Sequence, residues 1–257
     1  MRIAIIGGTG VYRLDAARDS QPTRVETPYG AVEVWPGEIA RREVFFLPRH
    51  GVGHTVAPHR INYRANIAGV RKLGCTAVIA TNAVGSLCRD FTPASFVLPD
   101  QFLDFTRVRP LTFYDGEDEH GVKHADMTAP YCPVVRQWLM GAALDRHEPC
   151  ADGATYLCAE GPRFETPAEI RMFAQWGADL VGMTGVPEVV LAREVGLCYA
   201  SLCIVTNYAA GISSTPLSNR EVTDLMAEHI TAVNDILVAA VSRAVDFREC
   251  PCRLPII

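Results

Sequence analysis

The chain has 257 residues, enough for one large α/β domain or two small ones. Hydrophobic residues make up 49% of it, so a substantial core can form. The formal net charge is -5 and no long basic tract is present, which argues against nucleic acid as the main partner. An anion can still be held, but only locally, by a few donors in one pocket. No apolar run approaches the roughly eighteen residues of a membrane-spanning helix. The opening Met1-Arg2-Ile3-Ala4-Ile5-Ile6-Gly7 moves straight into a strand-like run and lacks the features of a signal peptide. The expectation is a cytoplasmic protein with no membrane partner.

Taken in chain order, short β-branched runs alternate with helical patterns. Strands are expected at 3–6 and 44–47, a helix at 60–73, and strands at 77–80 and 95–98. Residues 107–129 are polar and irregular, which suggests a functional loop or an interface element. A helix at 133–143, a strand at 155–158, a helix at 167–176, a strand at 180–182, a helix at 187–195 and a strand at 202–205 follow. The helices at 133, 167 and 187 open with proline, which suits a first helical turn. The last helix is expected over 219–245, with Val222, Met226, Val233, Leu237 and Val241 near one face. Ser218 and Glu221 form a capping-box pattern at its start. Several strands are apolar throughout, as central strands covered on both faces are. The order predicts one α/β domain over residues 1–257, with a mixed sheet covered by helices.

Nine cysteines are many. Cys75, Cys158, Cys198 and Cys203 sit in apolar runs and read as small buried hydrophobes. Cys250-Pro251-Cys252 offers a strained disulfide or a redox tail. It lacks the second pair expected of a zinc site.

Six segments follow expected strands or lie near them, where α/β sheets place ligands. Gly7-Gly8-Thr9-Gly10 can cradle a phosphate or simply make a tight turn. It lacks the third glycine of a dinucleotide fingerprint, although Glu26 lies near the place of a ribose-binding acid, and no Walker lysine follows. In Pro48-Arg49-His50-Gly51, arginine offers a planar fork for an oxyanion and histidine a further donor. Thr81-Asn82-Ala83-Val84-Gly85-Ser86 is small enough for close approach of a flat or anionic ligand. In Glu160-Gly161-Pro162-Arg163-Phe164-Glu165-Thr166, an aromatic stands beside a carboxylate that can accept from a base edge. Met183 and Thr184, then Thr206-Asn207-Tyr208-Ala209-Ala210-Gly211, complete the set. Each segment alone is equally compatible with core packing or a turn.

In this order the six segments resemble the nucleoside phosphorylase family that contains methylthioadenosine phosphorylase and the trimeric purine nucleoside phosphorylases. The resemblance also rests on Thr27-Pro28-Tyr29-Gly30, Asn62-Tyr63-Arg64-Ala65-Asn66, Phe113-Tyr114-Asp115-Gly116 and Val186-Pro187-Glu188-Val189. It implies the family's distorted-barrel mixed sheet flanked by helices. It implies a phosphate site from Thr9, Arg49, His50, Ala83 and Thr184, with Met183 under the ribose and Phe164 near the base. Asn82, Tyr208 and Ala209 fall among the implied substrate contacts, and Asn207 and His50 take the catalytic positions. His124 matches a residue that reaches the 5′ end of the sugar in a neighbouring subunit. The implied assembly is a homotrimer, with pairing of trimers left open. Inorganic phosphate is a co-substrate, and no metal or organic cofactor is implied.

Two segments depart from the family's methylthioadenosine-cleaving members. Those carry Thr-Asp-Tyr-Asp where this chain has Thr206-Asn207-Tyr208-Ala209, and small serine-like residues where it has Glu165-Thr166. A 6-oxopurine has an N1–H donor for Glu165 and an O6 acceptor for the Asn207 amide, whereas adenine turns a bare lone pair toward Glu165. The expected activity is phosphorolysis of inosine, guanosine or 5′-methylthioinosine, with methylthioadenosine as the alternative. Asn219 falls near the position facing the 5′ substituent and also sits in the first turn of the last helix.

Overall fold

The computed structural model describes residues 1–11, 20–116, 121–213, 216–245 and 249–254. Strands β1 (Arg2–Gly7), β2 (Thr23–Thr27), β3 (Gly30–Ile39), β4 (Arg42–Pro48), β5 (Cys75–Ser86), β6 (Phe96–Leu98), β7 (Gln101–Phe105), β8 (Cys150–Asp152), β9 (Thr155–Ala159), β10 (Leu180–Gly182) and β11 (Cys198–Tyr208) form one mixed sheet. One path runs β2-β3-β4-β1-β5-β10-β9-β7. A second branch leaves β5 through β11 to β6 and β8. Helices α1 (Tyr63–Lys72), α2 (Pro133–Asp145), α3 (Pro167–Gln175), α4 (Glu188–Glu194) and α5 (Asn219–Arg243) cover it.

Period-two alternation assigns the two faces of the central strands. Ile3 and Ile5 of β1, Ala77 and Ile79 of β5, and Ala200 and Leu202 of β11 pack with α2 and α5. Ala4 and Ile6, Val78 and Ala80, and Tyr199 and Cys203 pack with α1 and α4. Both faces are therefore dry, which is why these strands read as continuous apolar runs.

β5 and β11 are much longer than the expected 77–80 and 202–205. Their C-terminal halves carry Thr81, Asn82, Thr206 and Asn207, which break the apolar run but hydrogen-bond within the protein. The β2–β3 hairpin, β7 and β8 were not anticipated. β2 and β3 join through Pro28-Tyr29, with Thr27 opposite Gly30. β3 and β4 join through Ala40 and Arg41, both at positive φ, the conformation that matches the twist of a two-residue hairpin.

The helix starts follow local chemistry. Asn62 Oδ1 accepts from Ala65 N at 3.1 Å. Thr166 and Glu169 form a full capping box at α3, and Ser218 Oγ accepts from Glu221 N at 3.1 Å at α5. The residues before Tyr63 form a separate 3-10 turn, Pro58–Arg60, so α1 begins later than the expected 60. α5 is long and apolar enough to cross a membrane by length and composition alone. Its Met226, Val233, Ile236, Leu237, Ala240 and Val241 are instead buried against the sheet and α2.

The irregular stretch after Arg107 is pinned to the domain. Buried Arg109 donates to Tyr63 Oη and to the carbonyls of Val186, Ala159 and Glu160. Glu194 accepts from Thr112 Oγ1 at 2.6 Å and from Phe113 N at 2.8 Å.

One expectation is corrected. Cys250 and Cys252 do have a second pair: Cys132 and Cys198 lie with them, all four buried. The sequence hides this because Cys132 and Cys250 are 118 positions apart. Cys198 is therefore more than a small hydrophobe, whereas Cys75, Cys158 and Cys203 are buried among the apolar residues that pack with α1 and α4, as expected.

Gly69 of α1 lets the helix close on the hairpin. A Cβ there would lie 2.5 Å from Val32 Cγ2. Val32 is buried and stiff at χ1, so crowding outweighs the roughly 1 kcal/mol helix preference for alanine. Gly69→Ala is expected to lower stability by about 1–2 kcal/mol, read as a lower urea midpoint at unchanged slope.

Candidate active site

A cavity of about 280 Å³ opens at the C-terminal ends of β1, β4, β5, β10 and β11. Thr9, Arg49, His50, Asn82, Ala83, Phe164, Glu165, Met183, Thr184, Asn207, Ala209 and Asn219 all line it. Two predicted residues do not. Tyr208 ends β11 outside the lining, and His124 is exposed and away from this cavity.

The anion side is built on an ion pair. Glu188 Oε2 and Oε1 accept from Arg49 Nε and Nη2, each at 2.7 Å, and Arg49 Nη1 donates to Thr81 O at 2.8 Å. Tyr199 Oη donates to Glu188 Oε1 at 2.8 Å. Both charged side chains are fully buried. Burial opposes the Arg49 charge, but the Glu188 carboxylate outweighs it and the net pKa shift is upward.

Arg49 thus has a partner that the sequence does not show. Its fork is spent on Glu188, and of its five N–H bonds one on each Nη remains for a ligand. Gly8 must be glycine here, because a Cβ would lie 2.4 Å from Thr81 O and 2.9 Å from Arg49 Nη1. Gly8 N donates to Thr81 Oγ1 at 2.9 Å, which fixes the loop carrying Thr9.

His50 has a partner as well. Its Nδ1 lies 2.8 Å from Val56 O, and a carbonyl only accepts, so Nδ1 carries the proton. Burial pushes the ring's pKa down to about 4, with Arg49 and His54 adding to the effect against the Val56 bond. A neutral ring with Nδ1–H committed leaves Nε2 as an acceptor. His50 is therefore suited to receive the P–OH of a monohydrogen phosphate rather than to donate.

Thr184 is aligned from two sides. Asn82 Nδ2 donates to its Oγ1 at 2.7 Å, and Ser201 Oγ donates to Asn82 Oδ1 at 2.6 Å. Tyr156 Oη accepts from Thr184 N and Gly185 N, both at 3.2 Å. Met183 is half-buried, and its Sδ lies 2.6 Å from where a Gly161 Cβ would be, so only glycine there lets Met183 take this place.

The opposite side presents an acid and an amide. Glu165 is 9% exposed, and its Oε1 has no hydrogen-bond partner among the described residues. Burial raises its pKa, with Glu169 adding and its own backbone and Arg163 opposing. Asn207 Oδ1 accepts from Thr206 Oγ1 at 2.8 Å, and Nδ2 donates to Tyr208 O at 2.9 Å. This fixes the amide with one N–H to spare. Phe164 is partly exposed at the rim, and Leu217, Asn219 and Val222 from the start of α5 close the remaining wall.

The sequence reading assigned no role to Glu188, Tyr199, Thr81, Ser201 or Tyr156. Glu188 left a signal: a carboxylate opening the apolar run Val189-Val190-Leu191 needs a buried partner. Removing one member of such a pair strands the other charge. Glu188→Leu is expected to cost about 3–5 kcal/mol of stability, and Glu188→Gln less, because its amide oxygen still accepts from Arg49. Urea unfolding of the three proteins gives the order.

The sequence is 51% identical over 254 residues to the probable 6-oxopurine nucleoside phosphorylase of Moorella thermoacetica, covering 99% of this chain and 97% of the relative. It is 49% identical to a probable S-methyl-5′-thioinosine phosphorylase of Methanothermobacter thermautotrophicus, covering 98% and 87%. Among solved structures, methylthioadenosine phosphorylase from Schistosoma mansoni in complex with adenine superposes with a TM-score of 0.89 at 35% identity, covering 94% of this chain and 91% of that one. The sequence pattern of the phosphorylase superfamily matches residues 2–242, and this chain belongs to that superfamily.

Proposed function

We propose that this enzyme uses inorganic phosphate to split 6-oxopurine nucleosides into the free base and a pentose 1-phosphate. The observation that carries the base preference is Glu165: a buried carboxylate with an oxygen unpartnered among the described residues, in one cavity with the spare N–H of Asn207. N1–H of hypoxanthine or guanine satisfies the first, and O6, or N7 as it gains charge, satisfies the second. Adenine would meet Glu165 with a lone pair.

The chemistry follows from charge. The C1′–N9 bond breaks with its electron pair moving to the purine, and the ribosyl group gains oxocarbenium character. A phosphate oxygen then attacks C1′. Phosphate near Thr9, Ala83, Thr184 and the remaining Arg49 N–H bonds supplies negative charge beneath the sugar, and His50 Nε2 holds its P–OH. Asn207 stabilises the departing base. Positioning and electrostatics account for the rate without a protein nucleophile.

At the 5′ end, apolar Leu217 and Val222 beside polar Asn219 suit both a methylthio group and a hydroxyl. Inosine, guanosine and 5′-methylthioinosine are the substrates of this reading. It includes a homotrimer in which His124 serves a neighbour's cavity, in keeping with its exposure away from its own, and a cytoplasmic location.

Phosphate-dependent release of base from inosine, 5′-methylthioinosine and methylthioadenosine tests the proposal. Each mismatched buried group costs about 1–3 kcal/mol, so the 6-oxo substrates are expected to lead in kcat/KM by about a hundredfold or more. Glu165→Ser with Asn207→Asp is expected to reverse the order. Preferential cleavage of methylthioadenosine by the unaltered enzyme would overturn it.

The Glu165 shift gives a pH signature. Its folded pKa is raised, so the accepting carboxylate exists above that pKa and is lost as pH falls through it. The acid limb of kcat/KM for inosine is expected above the ordinary glutamate range, and Glu165→Gln is expected to abolish that limb.

A further inference from the structure

Cys250-Pro251-Cys252 is the motif that phosphorolysis leaves without a role. The fold brings Cys132, just before α2, and Cys198, the first residue of β11, against it. All four are buried, at 0%, 0%, 6% and 4% exposure for Cys132, Cys198, Cys250 and Cys252. Their sulfurs all lie within 4.8 Å of one another, and Cys132 Sγ is 3.6 Å from Cys250 Sγ.

We propose that these four cysteines form a structural zinc site. Zinc–thiolate bonds of about 2.3 Å in a tetrahedron set sulfur–sulfur edges near 3.8 Å; the Cys132–Cys250 edge is 3.6 Å and no other exceeds 4.8 Å. A disulfide draws two sulfurs to about 2.05 Å and leaves the other pair apart, whereas here each sulfur has the other three within 4.8 Å. Four protein ligands close the coordination sphere, so the ion is structural rather than catalytic. Binding exchanges the thiol protons, released to solvent, for the metal.

The surroundings suit the anionic tetrathiolate. Cys132 stands at the N-terminus of the thirteen-residue α2, the positive end of its dipole. Arg193 Nη1 lies 3.4 Å from Pro251 O, between the two C-terminal cysteines. The site is remote from the cavity: β11 starts at Cys198 and reaches Asn207 roughly 30 Å later, at about 3.3 Å per residue. The metal would therefore clip the segment after α5 to the start of α2 and the root of β11, without touching substrate.

The test uses the full chain, purified without a chelator or a histidine tag. Elemental analysis is expected to find one zinc per chain, and thiol titration in denaturant with EDTA is expected to count all nine cysteines of the sequence. Cobalt substituted into the same protein is expected to show the visible absorption of a tetrahedral tetrathiolate. The double variant Cys250→Ser, Cys252→Ser is expected to lose the zinc and melt at a lower temperature while keeping its turnover of inosine. No metal with four thiols missing means two disulfides and overturns the proposal. So does a metal-free protein with nine thiols that takes up neither zinc nor cobalt, and so does a double variant that retains its zinc. Should the variant not fold, the zinc, thiol and cobalt readings on the unaltered chain decide alone.

Discussion

The buried pair of Arg49 and Glu188 governs how this cavity can hold an anion. It joins the end of β4 to the start of α4, and Tyr199 Oη and Thr81 O extend it to β11 and β5. Four elements thus meet on one ion pair. Because Glu188 cancels the Arg49 charge, the pocket offers an incoming phosphate oriented N–H and O–H dipoles rather than a bare cation. Such a site binds less by net attraction than by pre-set geometry, and geometry is what in-line attack on C1′ requires. A free arginine would grip phosphate harder in the ground state and gain little in rate from doing so.

The same economy appears in the polar ends of β5 and β11. Thr81, Asn82, Ser201 and Thr206 sit inside a sheet covered on both faces, where an unpaired group would be costly. Each is bonded to another member of the site: Thr81 to Gly8, Asn82 to Ser201 and Thr184, Thr206 to Asn207. The sheet's own rigidity is passed directly to the residues that face the ligand. Main-chain pairing holds the strands, and side-chain pairing aims what they carry.

The legible part of the fold was its centre. β1, β4, β9, β10 and the hearts of β5 and β11 are apolar because both faces are buried, and proline marked α2 and α3. What escaped has physical reasons. β3 contains Pro36 and Gly37, which argue against a strand, yet it keeps Val32 and Val34 buried beside the exposed Glu33. β5 and β11 were cut short at threonine and asparagine because a single sequence does not show which polar residues will find partners inside. In the site, residue identity was readable but protonation and partnership were not. The carbonyl that makes His50 an acceptor belongs to Val56, and the partner that occupies Arg49 is 139 positions away. The cysteine cluster was invisible for the same reason.

In the proposed function, anion binding and base reading fall to different parts of the chain, and this separation bears on selectivity. Glu165 precedes α3, where the Thr166–Glu169 capping box and the Arg163–Glu169 pair fix the backbone. Those contacts engage Arg163 and Glu169 and leave Glu165 Oε1 without a partner among the described residues. A buried oxygen without a partner weighs against the folded state by about 1–3 kcal/mol. That penalty disappears only when a donor enters the cavity at the right height. A ligand with N1–H gains the relief together with its own hydrogen bond, whereas one with a lone pair there gains neither and adds repulsion. In the proposed function, the oxygen that slightly weakens the protein is thus what makes the wrong base unfavourable, apart from the residues assigned to phosphate.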